Sequence, residues 1–231
     1  MDTKPFETLI REKECKVAER WYPTAIDHFR NISALDYQVE GYHPLIDNIT
    51  YSLQYLEFLE KEFAELNVSS VIYIMLVKSY TITAMSIMEG IFTNIIKSNG
   101  WWKQNDEEVV FTSKASQQQP DGTQLVVKTE ISKKISPVNV QMTLDEMIKC
   151  LRHHHQGLAV NHLVYPALNR LRDLRNRIHL QKGDAYNDHD YNAFDFRVKA
   201  EVQEILYTIL CSPNVTDGRF LGYYDFLKPT T

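Results

Sequence analysis

The sequence predicts a mainly α-helical fold, a helical bundle interrupted by one β-hairpin insertion. Three observations carry this expectation. Apolar residues recur at helical spacing through most of the chain, the run from Val68 to Ser98 is apolar nearly all round, and residues 102–138 abandon that period for two extended runs around Pro120-Asp121-Gly122. At 231 residues the chain suits a single helical domain spanning 1–231, with 102–138 as the insertion.

Residues from Lys4 to Arg30 suit one or two helices, with Pro23 bending or dividing them. Asn31 to Tyr42 has no clear period and is expected to connect. A helix should start near Pro44, which fits a first helical turn, and Leu45, Ile49, Leu53, Leu56, Leu59, Phe63 and Leu66 carry its stripe to Asn67. The next helix, 68–98, should stop at Asn99-Gly100, and its all-round apolarity makes it the central element of the bundle. Glu89 lies in its second half and reads as a rim residue, with the less favoured alternative that it orients an arginine.

Within the insertion, Lys114, Lys128, Lys133 and Lys134 suggest a substrate-gripping arm or a partner surface, against the plainer reading of a solvated excursion. Thr143-Leu144-Asp145-Glu146 is a capping box that opens a helix on Leu144, Met147, Ile148 and Leu151. That helix ends in His153-His154-His155. Adjacent helical positions diverge by roughly 100°, so consecutive histidines do not converge on one ion, and they read as helix-terminal residues instead. A following helix should open near Pro166 and stop at Lys182-Gly183. Asp188-His189-Asp190 could bind a cation or cap a last helix from Ala193 to Cys211, with capping favoured, and the aromatic tail GRFLGYYDFLK should dock on a core groove or a second subunit.

Composition excludes several classes. The net charge of −5 provides no global field for nucleic acid, so an RNA contact needs a local patch. Cys15, Cys150 and Cys211 are odd in number and lack metal-like spacing, so they read as reduced thiols of a cytoplasmic protein. The charged amino terminus lacks the apolar core of an export signal, and Lys78 and Glu89 break the longest apolar run, which is therefore expected to be a buried helix with no membrane role. Nothing in the sequence calls for a metal or other cofactor.

Chemistry concentrates in LNRLRDLRNRIHL, residues 168–180. Ala167, Leu171, Leu174 and Ile178 fall at i, i+4, i+7 and i+11, one buried helix stripe. At roughly 100° per residue, Arg172, Arg175, Asn176 and His179 then share one sector beside that stripe, while Arg170 and Arg177 lie on the other flank as a solvated group. Two guanidinium forks, an amide and an imidazole form a workable set for gripping and cutting a phosphodiester.

The wording LRDLRNRIH resembles the signature of the HEPN superfamily, an Arg often followed by Asn, Asp or His and then a His after four to six residues. Arg172-Asp173 reaches His179 across six residues, whereas Arg175-Asn176 looks more like the usual pair but stands only three residues away. TAMSIMEGIFTNIIK is also similar to the long early helix of such domains. The resemblance implies a HEPN-like helical bundle and a metal-independent endoribonuclease of a toxin or phage-defence type, cleaving RNA by 2′-OH transesterification at a dimeric Arg/His site. His179 then handles the proton, Arg172 and Arg175 clamp the phosphate, and Asn176 orients the imidazole or touches the sugar. By the same resemblance the expected partners are RNA and a second copy of the chain, with room for an antitoxin or nucleotidyltransferase-type partner. The competing expectations are a non-catalytic HEPN-like binding module for a nucleotide, RNA or protein, and a metal hydrolase built on the histidine run.

Overall fold

A computed structural model describes residues 21–179 and 188–228. Most of the chain is helical, with one two-stranded antiparallel hairpin. In order come α1 (Ile26–Ile32), α2 (Tyr42–Glu65), α3 (Ser70–Ser98), β1 (Gln104–Gln118), β2 (Gln124–Asn139), α4 (Leu144–His153), α5 (Val164–Arg175), α6 (Asp190–Ala193) and α7 (Phe196–Leu210). The helix expected from Lys4 onward falls outside the described residues as far as position 20.

The central helix predicted over 68–98 is α3. Tyr80, Ala84, Met85, Met88, Phe92 and Ile96 are fully buried along it, and α2, α4, α5 and α7 all pack against it. By length and composition α3 would suffice to cross a membrane; its middle and second half pack among the surrounding helices, while Val71, Ile72 and Met75 near its start are exposed. Its chain direction reverses at Gly100, whose φ of +70° is a conformation that glycine adopts without a Cβ clash. On α2 the predicted stripe is realised by Ile49, Leu53, Leu56 and Leu59, while Leu66 lies beyond the helix end and is exposed.

The hairpin closes at Gly122, with φ +83°, after Pro120-Asp121. Register shifts lie between Asn105 and Glu107 and between Val109 and Phe111. Among the described residues no helix packs along its length.

The capping box on α4 forms as predicted. The Glu146 amide donates to the Thr143 hydroxyl at 3.2 Å, and the Thr143 amide returns a bond to the Glu146 carboxylate at 2.8 Å. Lys103 adds an ion pair at 2.5 Å. That lysine first, then the Thr143 amide and hydroxyl, hold the Glu146 carboxyl down at about 2, against an ordinary value of 4.5. A depressed carboxyl contributes stability above its unfolded value that is lost as pH falls through the folded one. The cap is therefore expected to persist through pH 4 and to fail near pH 2. Thr143→Ala should cost about 1 kcal/mol, read by urea denaturation at neutral pH; an unchanged midpoint would show that the cap contributes nothing.

Two boundaries differ from expectation at the carboxyl-terminal side. Asp188-His189-Asp190 does not cap a helix: Asp188 pairs with Arg177, Asp190 pairs with Lys78, and α6 has no side-chain cap. The predicted last helix, Ala193 to Cys211, begins three residues later, at Phe196: Phe194 is fully buried ahead of it, and Asp195 caps α7 by accepting from the amides of Arg197 and Val198 at 2.9 Å each. The aromatic tail docks on its own core as a 3-10 segment, Gly218–Leu227, with Tyr224 stacked on Phe29 at 5.9 Å between ring centroids.

Candidate functional site

The arginine-bearing helix is α5. Its inner face buries Tyr165, Leu168 and Leu171, and the Tyr165 hydroxyl donates to the Leu151 carbonyl at 2.8 Å, tying α5 to the end of α4. Burial pushes the Tyr165 phenol up to about 12, so it stays a neutral donor. Leu174, partly buried, packs against the small cluster of Ile74, Val77 and Phe194.

The helix is shorter than predicted. It ends at Arg175, Asn176–Ile178 forms a single 3-10 turn, and His179 is extended at φ −85° and ψ 113°. The apolar stripe stops at Leu174 because Ile178 finds no core to enter and is 51% exposed. Without that burial nothing offsets the poor helix preference of Asn176 and the β-branched Ile178. The α-helical spacing that groups Arg172 with Arg175 holds, whereas His179 is brought to the end of the helix by the turn and stands exposed to solvent.

Each arginine has a carboxylate. Arg172 donates to Asp145 in the first turn of α4 and to Asp173 at 2.9 Å and 3.2 Å. Arg175 reaches across to α3 and donates to Glu89 at 2.9 Å. Arg170 pairs with Glu201 on α7, and Arg177 with Asp188. Arg177 was expected to be solvated but is only 19% exposed, less than Arg175 at 34%. The less favoured expectation for Glu89 is the one realised: an acid set in an apolar helix is anchored by an arginine from its neighbour.

These contacts separate the two candidate phosphate ligands. A guanidinium has five N–H donors. Arg172 commits three of its nitrogens to Asp145 and Asp173. Arg175 commits one, so among the described residues its other donors remain available while Glu89 fixes its direction. Asn176 closes the helix, its amide donating to the carbonyls of Arg172 and Leu174, and its side chain is half-buried beside the arginines.

Asp145 and Asp188 were read as helix-end acids, and only the tertiary fold shows them as arginine partners. Glu89 carried a signal, its position inside an apolar run. The histidine run is occupied structurally: His154 stacks on Trp101 with centroids 4.2 Å apart, His153 meets His154 edge-on at 4.6 Å, and His155 lies 4.8 Å from His162. Among the described residues no three His, Cys, Asp or Glu side chains gather into a cation-holding set. Burial raises the thiols of Cys150 and Cys211 above their ordinary range, which keeps them protonated and unreactive.

A hollow of about 620 Å³ lies at the ends of α3 and α4, between Asp36, Ser98, Trp101, the histidine run and Asn214. It is separated from Arg172 by the length of α4, since Asp145 stands at one end of that helix and His153 at the other. No family model, curated protein or solved structure matches this chain.

Proposed function

We propose that the chain is a HEPN-like, metal-independent endoribonuclease of the cytoplasm, of toxin or phage-defence type, acting as a homodimer at the end of α5. The observation that carries this reading is the exposed His179 placed one turn after Arg175, an arginine aimed by Glu89 with donors to spare. Cleavage by 2′-OH transesterification needs a base for the ribose proton, cationic donors for the dianionic phosphorane and an acid for the departing 5′ oxygen. His179 takes the proton role, Arg175 is the principal phosphate ligand, and Arg172 and Asn176 support the helix end. One subunit provides a single histidine here, so the second proton handler is His179 of a second copy. An antitoxin or nucleotidyltransferase-type protein would regulate such an enzyme.

Purified full-length chain is expected to cut single-stranded RNA in EDTA and leave 2′,3′-cyclic phosphate ends, read by end-group mass spectrometry. RNA that stays intact at high protein concentration would overturn the catalytic reading.

One observation favours a second reading, a non-catalytic module for a nucleotide, RNA or protein partner. Arg172, the arginine with the better sequence spacing to His179, is already satisfied by Asp145 and Asp173. In that case the carboxylates hold α5 in place, and a polyanion would bind without being cut.

A further inference from the structure

The hollow beside the histidine run is bounded by helix ends of one kind. The last turns of α3 and α4 and the stretch just after α7 all line it. A helix presents its unpaired carbonyls, and with them a partial negative charge, at its carboxyl end. Such ends from α3, α4 and α7 therefore meet around one space of about 620 Å³, a volume that suits a small molecule. The lining also contains a carboxylate, Asp36, and among the described residues no lysine or arginine. Lys97, next to Ser98 in the chain, lies over the Trp102 ring instead, 5.1 Å from its centre.

The side chains add acceptors and withhold donors. Asp36 accepts the Gln38 amide on one carboxylate oxygen at 2.9 Å and forms no ion pair among the described residues. Asn94, 1% exposed on α3, holds Asp36 in place by bonding its backbone N–H and its carbonyl at 3.0 Å each. Asn99 commits its amide nitrogen to the Ile95 carbonyl at 2.8 Å, and Asn214 commits its own to the carbonyls of Gln156 and Gly157 at 2.9 Å each. An amide tied down by its NH2 group has its oxygen left to offer. Asp36, Asn99 and Asn214 thus each keep one side-chain oxygen that no donor among the described residues uses. The imidazoles of His153, His154 and His155 also line the space, and an imidazole in its neutral form adds one acceptor nitrogen. Trp101 gives it an aromatic wall, held by His154 at 4.2 Å and by Gly157, where a Cβ would lie 2.8 Å from the ring. Aromatic faces favour cations over anions.

We infer that this hollow binds a small organic cation rich in N–H donors, of the aliphatic polyamine kind. An anion would meet helix carbonyls and a carboxylate with no arginine or lysine to receive it. A compact metal ion would lack its ligands, since no three His, Cys, Asp or Glu side chains gather among the described residues. Acceptors spread over the ends of several helices instead match several ammonium groups on one flexible chain. The site stands apart from the end of α5 and does not rest on the nuclease reading.

Calorimetric titration of the full-length protein with spermidine in low-salt buffer is expected to show saturable binding that weakens as salt rises. Tetramethylammonium carries a charge without an N–H donor and should bind far more weakly. Asp36→Asn keeps an oxygen for the Gln38 amide but removes the charge, and should weaken spermidine about tenfold, the loss expected of one charge-assisted contact. Ser98→Lys sets an ammonium at the rim, in the exposed last turn of α3, where a cation suits the helix end. It should abolish binding while melting with the parent. Spermidine that fails to bind, that binds both variants as tightly as the parent, or that is matched by tetramethylammonium overturns the inference. A preference for AMP, an anion, overturns it equally.

Discussion

His179→Ala is expected to abolish RNA cleavage while leaving the fold unchanged. A positioned acid or base contributes on the order of 10²- to 10⁴-fold, and a homodimer loses both of its histidines with one substitution, so the loss should reach at least the upper part of that range. The structural cost is small by contrast. His179 is exposed and extended beyond the last turn of α5, and exposed substitutions of this sort usually change stability by less than about 0.5 kcal/mol. Single-turnover cleavage of a labelled oligoribonucleotide, with thermal melting as the control, separates the two effects. Retained cleavage by the folded variant would remove His179 from the mechanism. Glu89→Gln provides a graded companion, because it weakens the grip on Arg175 without removing the arginine; a positioning role predicts reduced kcat with little change in KM.

The largest effect on stability is expected from Asp190→Ala. Lys78 sits on the central helix with its side chain 7% exposed, and its ammonium donates to Asp190 on α6 at 2.7 Å. The two residues are 112 positions apart, so this pair pins the segment that follows α5 onto α3. Removing the carboxylate strands a buried positive charge, which costs roughly 3–5 kcal/mol where one partner of a buried pair is deleted. Asp190 keeps 26% of its side-chain surface in solvent, which places the expected loss at the lower end. Chemical denaturation should show it as a lowered midpoint with an unchanged slope. The double substitution Lys78→Met with Asp190→Ala should recover most of the loss, because it removes the stranded charge and returns an apolar side chain to an apolar position. A midpoint indistinguishable from the parent in the single variant would mean that water reaches Lys78 freely.

Asp190 also illustrates where sequence reasoning stopped. Asp188-His189-Asp190 has the composition of a helix cap, and local chemistry favours that use. Both acids instead met a cation that the chain brings from elsewhere, Lys78 for one and Arg177 for the other, and a charge pair across a partly buried gap outweighs a cap worth about 1 kcal/mol. Phe194 is buried ahead of the last helix, which begins at Phe196 under the Asp195 cap instead of at Ala193. At Ile178, with no core in reach, the helix ended early, and the angular grouping of His179 with the arginines became a matter of the following turn.

Periodicity, capping boxes and turn residues are local, and they determined by themselves the mainly helical class, the central helix ending at Asn99-Gly100, the hairpin around Pro120-Asp121-Gly122 and the Thr143–Glu146 cap. Which acid meets which arginine was decided only by the tertiary structure. Glu89 stands 86 residues from Arg175, and Asp145 stands 27 from Arg172. Charge pairing at such separations depends on how whole helices cross, and a helical period carries no record of that crossing. Which residues share a face of the hairpin was likewise fixed by register, which two irregularities shift and which the extended runs around the turn do not specify.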